Sequence, residues 1–252
     1  MSRPARIEFR NVTRRFDALL AVQDVSFSVS DGEVVSLIGP SGCGKSTLLG
    51  MGSGLHAPSS GEVRVDGEPV TGPNPHVAVM LQKDLLLPWR TIRENVELGL
   101  QIRKLPVQGK SAALLKRFRL DGFENAYPHQ LSGGMRQRAA LARTLAVDPT
   151  VLLLDEPFSA LDAQTKMVLQ QDLARTLAEE KKTALFITHD LAEAVALSDR
   201  ILVMSARPGT ILEEITVDLP DRLNPLVRRR ATGVGAYLAR LMELLHVEEQ
   251  TI

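Results

Sequence analysis

The chain has 252 residues, 44% of them hydrophobic and 24% charged, and its 30 Lys plus Arg are balanced by 30 Asp plus Glu. That is a globular composition, neither disordered nor collagenous, and a formal net charge of zero gives no electrostatic footprint for nucleic acid. The single cysteine, Cys43, excludes an internal disulfide, as suits a reducing compartment.

The opening stretch MSRPARIEFRNV has no apolar core and does not read as a signal peptide. The longest purely aliphatic run, Val151 to Leu154, is far short of the ~20 residues a spanning helix needs. A membrane role is therefore expected to run through a partner.

In chain order, Ile7 and Phe9, then Val25, Phe27 and Val29, recur at period two and predict half-buried strands of an antiparallel layer. Asp31-Gly32 is a turn. VVSLI (Val34 to Ile38) is a short apolar run between turn residues, as expected for a strand buried on both faces. A Gly-rich loop and a helix from about Lys45 follow. Val63 and Val65 alternate before the hairpin-type turn Asp66-Gly67, and Val77 to Leu81 is a further buried-strand candidate. After Gln82 the pattern turns helical at Thr91 to Ile102, Ser111 to Phe118 and Gly133 to Val147, which predicts a helical insertion. Strands return at Val151 to Leu154, Thr183 to Thr188, Ile201 to Met204 and Ile211 to Val217. Leu169, Leu173 and Leu177 mark one helix, Leu191 to Leu197 another, and Leu238, Leu241 and Leu245 an amphipathic terminal helix. Strands alternating with helices predict an α/β core.

Gly39 to Ser46 reads GPSGCGKS and fits G-x-x-x-x-G-K-[ST]. Gly39, Gly42 and Gly44 permit backbone geometry that turns N–H groups toward phosphates. Lys45 brings a positive charge to the β- and γ-phosphates, and the Ser46 hydroxyl is a hard oxygen ligand for Mg2+. The following helix adds its positive end. VLLLDE (Val151 to Glu156) is a buried strand ending in two carboxylates. Asp155 is expected to hold Mg2+. Glu156, facing the other way along an extended chain, is expected to polarise the attacking water. His189 ends the LFITH strand and could donate to the γ-phosphate while holding Glu156. Gln82 also follows a strand and can touch both Mg2+ and the water.

With LSGGMRQR (Leu131 to Arg138) and SALD (Ser159 to Asp162), these motifs stand in the order found in ATP-binding cassette ATPases, and the chain resembles that family over essentially its whole length. The resemblance implies a P-loop NTPase (RecA-like) core with an antiparallel β layer and an inserted α-helical subdomain. Core and β layer would occupy 1–85 and 150–220, the helical subdomain 86–149, and a C-terminal helical tail 221–252. It implies ATP and Mg2+ as cofactors. ATP would contact Phe16, stacked on adenine, and Gly39, Pro40, Ser41, Gly42, Cys43, Gly44, Lys45, Ser46 and Thr47. It also implies a head-to-tail homodimer in which Leu131, Ser132, Gly133, Gly134 and Met135 face the ATP of the opposite subunit and Asp162 couples the two sites. Met135 departs from the Gln of many relatives, which touches interface contacts rather than phosphate capping.

LLLPWRTIRENVELGL (Leu85 to Leu100), DEPFSALDAQT and SARPGTI (Ser205 to Ile211) resemble importers of the nitrate, sulfonate and taurine type. That implies a bacterial importer ATPase on the cytoplasmic face of the membrane, bound to permease subunits and served indirectly by a solute-binding protein. An export or lipoprotein-release ATPase stays open, and the LLPW stretch argues against it. A repair or translation ATPase would need coiled coils or paired cassettes, and a kinase would have to exclude the water that Glu156 polarises. Trp89 reads equally as a lobe-packing residue or a partner contact. His56, His76, His129 and His246 show no metal-ligand spacing. Arg228-Arg229-Arg230 reads as a solvated helix face.

Overall fold

The structure is a computed structural model that describes residues 4–107, 109–159 and 161–245. His246 and Ala160 of the SALD motif fall outside them. β1 (Ala5–Phe16) and β2 (Leu19–Ser30) form an antiparallel pair in which Phe9 stands opposite Phe27, their rings stacked at 4.4 Å. β3 (Val34–Ile38) is buried at every residue and leads through the Gly-rich loop into α1 (Lys45–Gly52). β4 (Ser60–Val65) and β5 (Glu68–Pro69), joined across Asp66-Gly67, complete a four-stranded antiparallel sheet ordered β2-β1-β4-β5.

β6 (Val77–Met80) alternates between half-buried and buried, and Leu81 is exposed. The expectation of a fully buried strand fails here because β6 is the edge of its sheet, where one flank meets solvent. α2 (Ile92–Ile102) starts at a Thr91 cap whose hydroxyl accepts from Glu94 N while the Glu94 carboxylate accepts from Thr91 N, a reciprocal box that satisfies two orphan donors. α3 (Lys110–Arg117) and α4 (Gly133–Ala146) pack with α2 around Ile92, Val96, Leu100, Leu115, Phe118 and Leu141.

β7 (Val151–Asp155), α5 (Ala163–Glu179), β8 (Thr183–Ile187), α6 (Leu191–Leu197), β9 (Arg200–Met204) and β10 (Ile211–Thr216) rebuild the core. The second sheet runs β10-β9-β3-β8-β7-β6, parallel except for the antiparallel β10 edge. Leu169, Leu173 and Leu177 of α5 are buried as the stripe predicts, each worth roughly 1.5–3 kcal/mol of burial. One face of this sheet meets the antiparallel sheet and α1 in a core that includes Leu37, Leu48, Val151 and Leu153. The other face carries α5 and the helices of the insertion.

α7 (Pro225–Arg228) and α8 (Val234–Leu244) close the described chain, with Leu241 fully buried against α6 and the β9–β10 edge. Here a second expectation fails. Arg228 is 1% exposed and its Nη2 donates to Val217 O, while Arg229 Nη2 reaches Gln170 on α5. The four-residue α7 is pressed onto the core through this side, so only Arg230 of the basic run is exposed. Among the described residues no helix is long and apolar enough to cross a membrane.

Candidate functional site

Four strands of the parallel sheet end on the same side, and each delivers a chemical group there. The crevice beyond the carboxyl ends of such strands is where open α/β sheets hold ligands. β3 releases the Gly39–Thr47 loop, β6 releases Gln82, β7 ends at Asp155 with Glu156 following, and β8 leads to His189. They line one open cleft of about 550 Å³, shared with Phe16 and Arg207.

The loop ends at Gly44, the cap of α1, with φ +107. A Cβ there would stand 2.4 Å from Val22 Cγ1 of β2, so only glycine allows the loop to lie this close to the sheet. Gly39, Ser41, Gly42, Gly44, Lys45, Ser46 and Thr47 face the cleft. Pro40 and Cys43 lie off it, and Cys43 is 1% exposed beneath the loop. Lys45 is largely buried and its Nζ donates to Gly39 O at 2.8 Å and Pro40 O at 2.9 Å. Its ammonium is thus kept hydrogen-bonded to the loop's own carbonyls.

Glu156 sits at φ +46, in left-handed rather than extended backbone, which corrects the expected alternation with Asp155. The strand ends at Asp155, and the turn brings both carboxylates onto the same cleft. Glu156 Oε2 accepts from Gln82 Nε2 at 2.9 Å and lies 3.3 Å from His189 Nδ1. Two side chains from different strands therefore converge on one carboxylate oxygen. Asp155 is half-buried, and burial raises its carboxyl above the usual range. The Ser46 hydroxyl bond and Lys45 pull it down, and the charge of Glu156 pushes it further up. Ser46, Asp155 and the Gln82 amide form an all-oxygen donor set of the kind hard divalent cations take.

Phe16 is 37% exposed at the cleft mouth, with the Arg14 guanidinium 4.5 Å from its ring centroid and His56 against its edge. Leu131, Ser132, Gly133, Gly134 and Met135 do not line this cleft, nor does Asp162. Ser132 caps α4, its hydroxyl accepting from Met135 N at 3.3 Å, and Leu131 is buried. Asp162 caps α5 by accepting from Gln164 N and Thr165 N, and the Thr165 hydroxyl, with these backbone bonds, holds its carboxyl below the usual range. Trp89 is 71% exposed and packs no lobe. Its segment is fixed by buried Asn95, which bonds Leu87 N, Leu87 O and Arg90 O.

Sequence reasoning missed two groups. Glu193 of α6 is 3% exposed and accepts from Thr188 and Gln170 while pairing with Lys166. Arg207 lines the cleft and bonds Gly42. SARPGTI was visible as a run, but no spacing rule marked its arginine.

A phosphate loop, a carboxylate pair at the neighbouring strand end and a polar cluster on Glu156 define a P-loop nucleoside triphosphatase. The protein-family model described as ABC transporter matches residues 22–159, and the chain belongs to that family as one of its ATP-hydrolysing, ATP-binding subunits. Similar curated proteins include an uncharacterized ABC transporter ATP-binding protein of Methanocaldococcus jannaschii, 45% identical over 221 residues covering 85% of this chain and 83% of that one. The aliphatic sulfonates import ATP-binding protein SsuB of Bacillus cereus is 45% identical over 212 residues, 84% of this chain and 83% of its own. Among solved structures, a dimeric post-hydrolysis state of the ATP-binding cassette MJ0796 bound to ADP and Pi superposes with a TM-score of 0.75. It is 32% identical and covers 84% of this chain and 98% of that chain.

Proposed function

We propose that this subunit powers an ABC importer for a small solute of the sulfonate, taurine or nitrate class, working as a head-to-tail homodimer on two permease subunits. The observation that carries the hydrolytic part is the convergence of Gln82 and His189 on Glu156 Oε2 above the phosphate loop. The Gln82 amide donates to one carboxylate oxygen, with the His189 ring beside it, and the other oxygen is left to take a proton from water. Lys45 exchanges two loop carbonyls for phosphate oxygens. Ser46, Asp155 and Gln82 Oε1 would hold Mg2+, which would supply charge neutralisation on the phosphates.

The dimer reading rests on where the signature lies. Ser132, Gly133 and Gly134 present a hydroxyl and a helix N-terminus suited to an anion, yet they do not line their own cleft. A second copy is the source that would complete each site, and the MJ0796 cassette is dimeric in its structure bound to ADP and Pi. The import direction is supported by the sulfonate-import name of a 45% identical relative. Exposed Leu85 and Trp89, on a segment pinned by Asn95, offer the apolar surface a permease would grip. Such a subunit works on the cytoplasmic face of the membrane, with a solute-binding protein reached only through the permease.

The test is reconstitution of the chain with its permease in vesicles, with ATP on the side of this subunit. The reading predicts phosphate release to water and solute moved toward the ATP side. Transfer of phosphate to a metabolite, or movement of solute away from that side, would contradict it.

A further inference from the structure

Strands β9 and β10 are joined by the Ser205–Thr210 loop, which lies beside the phosphate loop rather than out in solvent. Gly209 N donates to Ala21 O at 3.0 Å and Gln23 N donates to Gly209 O at 3.0 Å, so the loop is stitched to β2. A Cβ on Gly209 would stand 2.0 Å from Cys43 O, so the two backbones touch and tolerate no side chain between them. The Ser205 hydroxyl bonds Ala206 O, Pro208 O and Thr210, closing the loop on itself.

From this base Arg207 reaches into the nucleotide cleft. Its Nε and Nη2 both donate to Gly42 O, at 3.0 and 2.7 Å. Those are its only side-chain hydrogen bonds among the described residues, and the group is otherwise exposed.

We infer that Arg207 is a positioning residue for the phosphate loop, acting through the Gly42 carbonyl. The inference rests on the loop being the ATP site. The Gly42–Cys43 peptide is a rigid plane, so holding its carbonyl sets the direction of its N–H. On its far side Cys43 N–H reaches, among the described residues, only Pro40 O, at a long 3.4 Å. The cationic fork is therefore the stronger of the two restraints on this plane. It sits in the middle of the run whose N–H groups must all point inward to bind phosphate. Charge-assisted bonds from a planar fork are stronger and more directional than neutral ones. The guanidinium also leaves a positive charge at the cleft rim, which favours any anion bound there.

The role is uniform binding of nucleotide rather than help with bond cleavage, because Arg207 holds backbone and not the Glu156 cluster. Loss of such a contact raises KM with kcat unchanged. Three proteins decide the matter: the wild type, Arg207→Ala and Arg207→Lys, each as the full chain. ADP and ATP affinities are measured by calorimetry, steady-state hydrolysis gives KM and kcat, and melting without nucleotide monitors the fold. Arg207→Ala is expected to bind both nucleotides about tenfold more weakly, with kcat within about twofold and the nucleotide-free melt unchanged. Arg207→Lys, a single-point donor, is expected to recover part of the loss. Unchanged affinity in Arg207→Ala beside a wild type that binds would overturn the inference. So would a fall in kcat alone, or a fall in melting temperature large enough to account for the weakened binding. A wild type that binds neither nucleotide would instead sink the ATP-site reading beneath it.

Discussion

Replacing Glu193 by Ala should damage stability and hydrolysis together, although Glu193 never meets the nucleotide. The side chain is 4% exposed and accepts from Thr188 Oγ1 and Gln170 Nε2, with the Lys166 ammonium against the same carboxylate. Removing one partner of a buried ion pair costs about 3–5 kcal/mol. Lys166 is 22% exposed and keeps Asp190 at 2.8 Å, so the low end applies, about 3 kcal/mol. At this chain length each kcal/mol moves the melting temperature by about 2–4 °C, giving a fall of about 6–12 °C.

The functional loss follows from what Thr188 holds. Its hydroxyl also accepts from Asp190 N at 3.0 Å, so Thr188 and Asp190 clamp His189 from both sides. Hydrolysis measured well below the melting range should therefore drop in Glu193→Ala and recover largely in Glu193→Gln, which keeps an acceptor for Thr188. A Glu193→Ala protein that melts within about 2 °C of the wild type and hydrolyses ATP normally would refute the reasoning.

Asp155→Asn should stabilise the nucleotide-free protein at neutral pH while removing hydrolysis. Burial raises the folded-state carboxyl above its unfolded value. The protonated acid's stabilising contribution is therefore present at low pH and lost as pH rises through the raised value. Melting curves from pH 4 to 8 should show the gain of the Asn variant growing with pH, and a constant gain would contradict this origin. Phe16→Ala should weaken ATP binding by about 1–3 kcal/mol, the usual cost of a lost base stack. Binding of inorganic triphosphate should stay unchanged, and equal losses for both ligands would remove Phe16 from the base site.

Much of the fold was legible because it is written locally. The glycine spacing of Gly39 to Gly44 answers to backbone sterics within one loop, and the Leu169, Leu173, Leu177 stripe answers to one helix turn. Gln82, Asp155 and His189 could be singled out because each directly follows a short predicted strand, and the structure brings all three to one cleft. What escaped depends on contacts between distant positions. Arg207 and Gly42 are 165 residues apart, Arg229 and Gln170 are 59 apart, and Gln170 and Glu193 are 23 apart. No periodicity spans such distances. A run of three arginines carries no sign of which one is buried, so Arg228 was misread. Glu156 was misread because alternation along a strand assumes that the strand continues, and it stops one residue earlier.

The central claim is that Glu156 is the water-polarising base of a site completed by a second copy. The most direct measurement is the solution mass of Glu156→Gln with ATP and Mg2+, alongside phosphate release. The account predicts a stable dimer with ATP, a monomer with ADP, and hydrolysis reduced by about 10²–10⁴-fold. A variant that turns over like the wild type, or that binds ATP and stays monomeric, would contradict it.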